Sequence, residues 1–196
     1  MKILTLFLAL GMGAASAASA QPDVASKPAA PAPPRPLGPE LWRGARVGMS
    51  PEDIAARFPK AVPSKGEALA KGPKSALSLP VQLGGVAAVA QFYFTVDGLD
   101  SIIIDRSDLA AHKTDQNLVK AHQIVDQLTQ DYGAPKTCAE QPRVAALTCS
   151  WVLGEAKATV SYRDIGGAAP ALSLSYRRLD DTKPWAPRPV KKLKMR

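Results

Sequence analysis

At 196 residues the chain is long enough for one compact domain or two very small ones. Its only long apolar run lies at the N-terminus, which excludes a transmembrane helix in the rest of the chain. The formal net charge of +8 is unevenly placed: Arg177, Arg178, Lys183, Arg188, Lys191, Lys192, Lys194 and Arg196 face only Asp180 and Asp181 at the C-terminal end, and the preceding body is close to neutral.

Residues 1–20 read as a secretory signal peptide. Lys2 supplies a positive start, Ile3 to Met12 an apolar stretch too short to span a bilayer, and Ala18-Ser19-Ala20 the small-x-small pattern that signal peptidase cuts after. Cleavage near Ala20 makes Gln21 the first mature residue and places the protein outside the cytoplasm, in the periplasm or secreted. A lipid-anchored export signal needs Cys in that position, so a soluble mature protein is expected. Residues 21–39 carry Pro22, Pro28, Pro31, Pro33, Pro34, Pro36 and Pro39 among Ala and Ser, the composition of a semi-stiff extended linker.

Folded structure is expected over residues 40–180. Ser50-Pro51-Glu52-Asp53 is a helix start: Ser50 can cap, Pro51 suits the first turn, and two acids suit the positive end of the helix dipole. Ile54, Ala55 and Phe58 would share one face before Pro59 stops the helix. Leu77, Leu79, Val81 and Leu83 alternate as a strand, Gly84-Gly85 turns, and Val86–Val96 forms a second strand with Ala88, Ala90, Phe92 and Phe94 on one face. Asp97-Gly98 is a two-residue hairpin signal, and Leu99 to Asp105 returns. In the second half Leu118, Ala121, His122, Val125, Leu128 and Tyr132 fall at helical steps, with Gly133 and Pro135 ending the helix. Leu147 to Leu153, Ala156 to Tyr162 and Leu172 to Tyr176 then alternate as three strands.

Both halves therefore read helix–strand–strand–strand. The predicted class is α+β, with tandem α-β-β-β units over about 41–106 and 107–179 building an antiparallel sheet of six strands that has its helices packed on one face. Residues 181–196 form a basic, Pro- and Lys-rich tail.

The stretch Val47-Gly48-Met49-Ser50-Pro51-Glu52-Asp53-Ile54, followed by Phe58-Pro59, resembles the Gly-Met-Ser/Thr-x-x-x-Val opening of the SmpA/OmlA outer-membrane assembly proteins and the β-lactamase-inhibitor-protein-like group. In these small envelope proteins short helices precede an antiparallel sheet. The chain departs from SmpA/OmlA in lacking a lipid-bearing Cys, and the usual pair of helices is not evident in its second half. The resemblance implies a non-catalytic role through protein–protein contacts and transfers no individual functional residue.

Reaction chemistry finds little support. His112 and His122 lack zinc-protease spacing, although His122 and Asp126 stand one helical turn apart; His122 itself falls on the apolar stripe, which favours packing. No nucleophile elbow occurs, so a hydrolase with an unrecognised site is the weakest reading. Gly84-Gly85 and Gly166-Gly167 read as turns, and Asp97, Asp100, Asp105 and Asp108 lack calcium-loop spacing. No cofactor or metal is expected. Cys138 and Cys149 read as a structural disulfide, the use an oxidising compartment favours.

Two features could carry binding. Trp42, flanked by Arg43 and Arg46, either packs down as a lid or stands as an anchor for a partner. In the tail, Trp185 with Lys191, Lys192, Lys194 and Arg196 could dock on anionic lipid or another polyanion, or stay solvated. Nucleic acid is a poor partner for an exported chain. The expected function is a periplasmic protein that binds another envelope protein, with the tail-driven surface binder as the alternative.

Overall fold

A computed structural model of the chain describes residues 37–64, 73–141, 144–165 and 169–180. The expected leader, the expected linker as far as residue 36, and the basic tail lie outside the described residues. Structure begins inside the stretch read as linker: the Gly38 N–H donates to the Val47 carbonyl at 2.8 Å and the Val47 N–H to the Pro39 carbonyl at 3.0 Å. These bonds close a hairpin of β1 (Glu40–Trp42) and β2 (Ala45–Arg46), whose two-residue turn holds Arg43 and Gly44 at positive φ, as a tight hairpin requires.

Helix α1 (Pro51–Arg57) forms where its start signal lies. The Asp53 N–H donates to Ser50 Oγ at 3.1 Å, and the Ser50 N–H donates back to the Asp53 carboxylate at 3.0 Å, a reciprocal capping box. At two turns, α1 presents little to the core: Ile54 is buried, Phe58 at its C-cap is half-buried, and Ala55 is exposed, contrary to its expected place on the inner face.

The sheet follows as β3 (Val62–Pro63), β4 (Lys74–Leu83), β5 (Val86–Thr95) and β6 (Gly98–Arg106). After α2 (Thr114–Tyr132) come β7 (Thr137–Gln141), β8 (Ala146–Leu153), β9 (Ala156–Arg163) and β10 (Ala171–Arg178). Their order is β3-β4-β5-β6-β10-β9-β8-β7, with every neighbouring pair antiparallel. Each half thus contributes a helix, a short edge strand and a three-stranded meander, and the meanders meet at their last strands, β6 against β10. Eight strands stand where six were expected. The two additions are the edges β3 and β7, of which β7 is exposed along its whole length and so has no buried face to write an alternation into its sequence.

Helix α2 buries Asn117, Ala121, Ile124, Val125 and Leu128. His122 does not belong to that stripe: its side chain is 45% exposed, and Nε2 lies 3.4 Å from the Glu140 carboxylate on β7, not paired with Asp126. Trp42 and Ile54 from the N-terminal elements and Ile124 and Leu128 from α2 join one core with the inward residues of the strands, Phe92, Ile104, Val160, Leu174 and Tyr176 among them. The helices and the hairpin therefore cover the same face of the sheet.

Candidate binding face

Strand register sorts the side chains into two faces. On the covered face one row runs Leu77, Phe92, Ile102, Tyr176, Ala158 and Trp151 from β4 to β8, and the next runs Leu79, Ala90, Ile104, Leu174, Val160 and Cys149. Because strand side chains alternate, the residues between them point to the opposite face. There the central row runs Ser78, Gln91, Ile103, Ser175, Thr159, Ser150 and Thr137, from β4 across to β7. A second row is Val89, Asp105, Ser173, Ser161 and Thr148, and a third is Tyr93, Ser101, Arg177, Lys157 and Val152.

Every central-row position on β10, β9, β8 and β7, and every second-row position on β10, β9 and β8, carries a short hydroxyl side chain. Six strand spacings separate Ser78 from Thr137, a span of about 29 Å at roughly 4.8 Å per strand. Ser175, Thr159, Ser161 and Ser150 are half-buried, and the Thr137 and Ser150 hydroxyls lie 2.6 Å apart. Short side chains leave the face low, so another molecule could approach the sheet closely and meet donors and acceptors in a regular array.

The third row sets two cations side by side. Arg177 on β10 stands directly opposite Lys157 on β9 and, on its other side, Ser101 on β6. Ser101 is fully buried between Tyr93 and Arg177 along the row, and neither its Oγ nor the buried Arg177 Nε has a hydrogen-bond partner. Leaving such groups unpaired costs about 1–3 kcal/mol each. The Tyr93 hydroxyl donates to Gln91 Oε1 at 3.0 Å, tying the third row to the central one.

Elsewhere the polar groups are structural. Arg106, at the end of β6, has a fully buried side chain that makes two hydrogen bonds to Asp108, at 2.8 and 2.7 Å, while Lys120 Nζ reaches the same carboxylate at 3.0 Å and the Asp108 carbonyl at 2.6 Å. The Arg106 hydrogen bonds hold the Asp108 carboxyl well below the usual carboxylate range, against the opposing effect of burial, and Lys120 adds to the lowering. Buried Asn117 clamps the loop before α2 through both the N–H and the carbonyl of Ala110. Burial, with Asp164 beside it, pushes the Tyr162 phenol up to about 12, and its hydroxyl donates to the Thr114 carbonyl.

Cys138 and Cys149 form a disulfide between directly opposed residues of β7 and β8. Trp42 is packed down: its ring stacks on Phe58 at 5.8 Å between centroids, lies 6.4 Å from Tyr176, and is 8% exposed, with the Arg43 guanidinium over its ring at 4.8 Å. That burial removes Trp42 from the candidate contacts. Trp185, Lys191, Lys192, Lys194 and Arg196 lie outside the described residues. Asp97, Asp100, Asp105 and Asp108 do not converge, and no three His, Cys, Asp or Glu side chains among the described residues gather as a metal site. The hydroxyl rows have a signal in the sequence: Leu172-Ser-Leu-Ser-Tyr176 and Ala158-Thr-Val-Ser-Tyr162 write the second face into the polar positions of the same alternation that marks the core.

No helix among the described residues is long and apolar enough to cross a membrane. No family model matches the chain, and no curated protein matches it. Among solved structures the chain is similar to a DUF4309 family protein, YjgB, from Bacillus subtilis subsp. subtilis str. 168, at 10% sequence identity and a TM-score of 0.36, over 66% of this chain and 78% of that one.

Proposed function

We propose that this chain is an exported, non-catalytic binding protein of the cell envelope, and that the hydroxyl-lined face of its sheet docks another envelope protein. The observation that carries this reading is the one-sided architecture: both helices and the N-terminal hairpin share their buried side chains with a single face of the sheet. An antiparallel sheet tolerates one solvated face, but half-buried Ser and Thr in register on the adjacent strands β10, β9 and β8, with a further Ser on β4, suit a flat protein surface better than a small-molecule cleft. The leader-like residues 1–20 and the disulfide suit an oxidising compartment. The likeness of Val47–Ile54 to the opening of small envelope proteins points the same way.

The test compares the full mature chain with a Ser150→Tyr/Ser175→Tyr variant as bait in an envelope extract. Tyr is a good strand former, so the variant keeps its unfolding midpoint while its rings obstruct the face. A specific protein retained by the wild type and lost by this variant supports the reading. Retention by both overturns it. Loss only when Lys191, Lys192, Lys194 and Arg196 are changed to Gln, with binding recovered on anionic vesicles, gives the function to the tail.

A further inference from the structure

Within that binding face, the row Ser101, Arg177 and Lys157 differs from its surroundings. Arg177 and Lys157 are cross-strand neighbours, and like charges directly opposite one another repel. Sheets relieve such a pair with an adjacent carboxylate, yet neither residue forms an ion pair among the described residues. The flanking positions of the row are Ser101 on one side and Val152 on the other, and the neighbours two residues along β10 and β9 on the same face are Ser175 and Thr159. Glu155, in the turn before β9, forms no ion pair with either cation among the described residues. The row also contains a fully buried serine hydroxyl without a partner, next to an arginine whose Nε lacks one. Two unneutralised cations on β10 and β9, in register with an unpartnered buried hydroxyl on β6, form a site short of one anion.

We propose that Arg177 and Lys157, with buried Ser101 beside Arg177 in the same row, form a subsite for the carboxylate of an Asp or Glu side chain presented by an acidic segment of a partner protein. This proposal rests on the docking reading above and deepens it by naming the partner's chemistry. A protein carboxylate fits better than a free anion because the site continues into the flat central row of Ser175, Thr159 and Ser150, which offers hydrogen bonds to the residues flanking that carboxylate. Arg177 supplies a planar fork suited to a carboxylate, Lys157 a point charge beside it. Docking would replace the repulsion of the two cations with a shared counter-charge.

The test titrates the full mature chain with a fluorescein-labelled hexaglutamate peptide at moderate salt, with inorganic phosphate and phosphatidylglycerol vesicles as competitors. Arg177→Gln/Lys157→Gln is compared with a tail variant in which Lys191, Lys192 and Lys194 are Gln. Binding weakened at least tenfold in the first variant and less than threefold in the second, with backbone amide shifts at residues 101, 157 and 177 on titration, is the expected result. An undetectable wild-type interaction, an equal loss in both variants, or a loss confined to the tail variant overturns the subsite. Displacement by phosphate or vesicles at concentrations below the peptide's own assigns the site to a phosphoryl group and overturns the carboxylate reading. In the envelope-extract experiment the failures separate: partner loss with Ser150→Tyr/Ser175→Tyr but full retention with Arg177→Gln/Lys157→Gln removes the subsite and leaves the docking face standing.

Discussion

Asp108 shows how far one side chain can organise a junction. Its carboxylate lies where β6 ends and the loop to α2 begins, and it is the counter-charge of a guanidinium with no exposure of its own. Removing the carboxylate strands Arg106 in the core. Asp108→Asn should therefore cost about 2 kcal/mol in urea unfolding at pH 7, less than the full cost of breaking a buried pair because Asp108 is 30% exposed. The pH dependence follows from the sign of the shift. The folded-state pKa of Asp108 is depressed, so its contribution is complete above the ordinary aspartate value of about 3.9 and is lost as pH falls from there toward the depressed folded value. Wild-type stability should fall between pH 5 and pH 2 by more than that of Asp108→Asn, and equal slopes would show that the pair contributes nothing. None of this was legible in the sequence. Asp108 carries no recognisable spacing because its partners, Arg106 two residues back and Lys120 in the following helix, are assembled only by the fold. His122 was misplaced for a related reason: helical spacing is satisfied by neighbouring stripes, and packing chose the one through Asn117 and Ile124.

At the scale of elements, alternation and turn chemistry located five of the six long strands within two residues, missed the first three residues of β4, and placed both helices, because each buries one face and ends in a recognisable stop. The Gly48-Met49 stretch has a structural use that the sequence left unread. The Gly48 N–H donates to the Leu99 carbonyl at 2.9 Å and the Leu99 N–H to the Met49 carbonyl at 2.8 Å, which docks the N-terminal hairpin onto the β5–β6 turn. Gly98, at φ +104°, is needed there because a side chain would run into the Gly48 carbonyl. Edge strand β7 buries none of its residues, and the Cys138–Cys149 disulfide fastens it to β8. Cys138→Ser/Cys149→Ser should lower stability by about 3 kcal/mol on the chain-entropy account. Amide exchange should accelerate first at residues 137–141, with β5 and β6 changing only as the whole molecule opens. Uniform acceleration through the sheet would mean that β7 does not fray as a unit.

For the whole molecule, the joining of two similar halves at β6 and β10 makes one wide sheet whose covering layer is used up on one side. The predicted α+β class with helices on one face agrees with this architecture. What the sequence could not convey is which polar strand residues come to lie side by side, since register between β6 and β10 joins residues some seventy positions apart. Ser101, Arg177 and Lys157 are unremarked singly and become a cluster only in that register. The central claim, that the hydroxyl face and not the helical face is the contact surface, is tested most directly by placing a photo-reactive p-benzoylphenylalanine at Thr159 on that face, or at exposed Gln123 on α2, and irradiating intact envelopes. The account predicts an adduct with one specific protein from Thr159 and none from Gln123. An adduct from Gln123 alone, or none from Thr159, would contradict it.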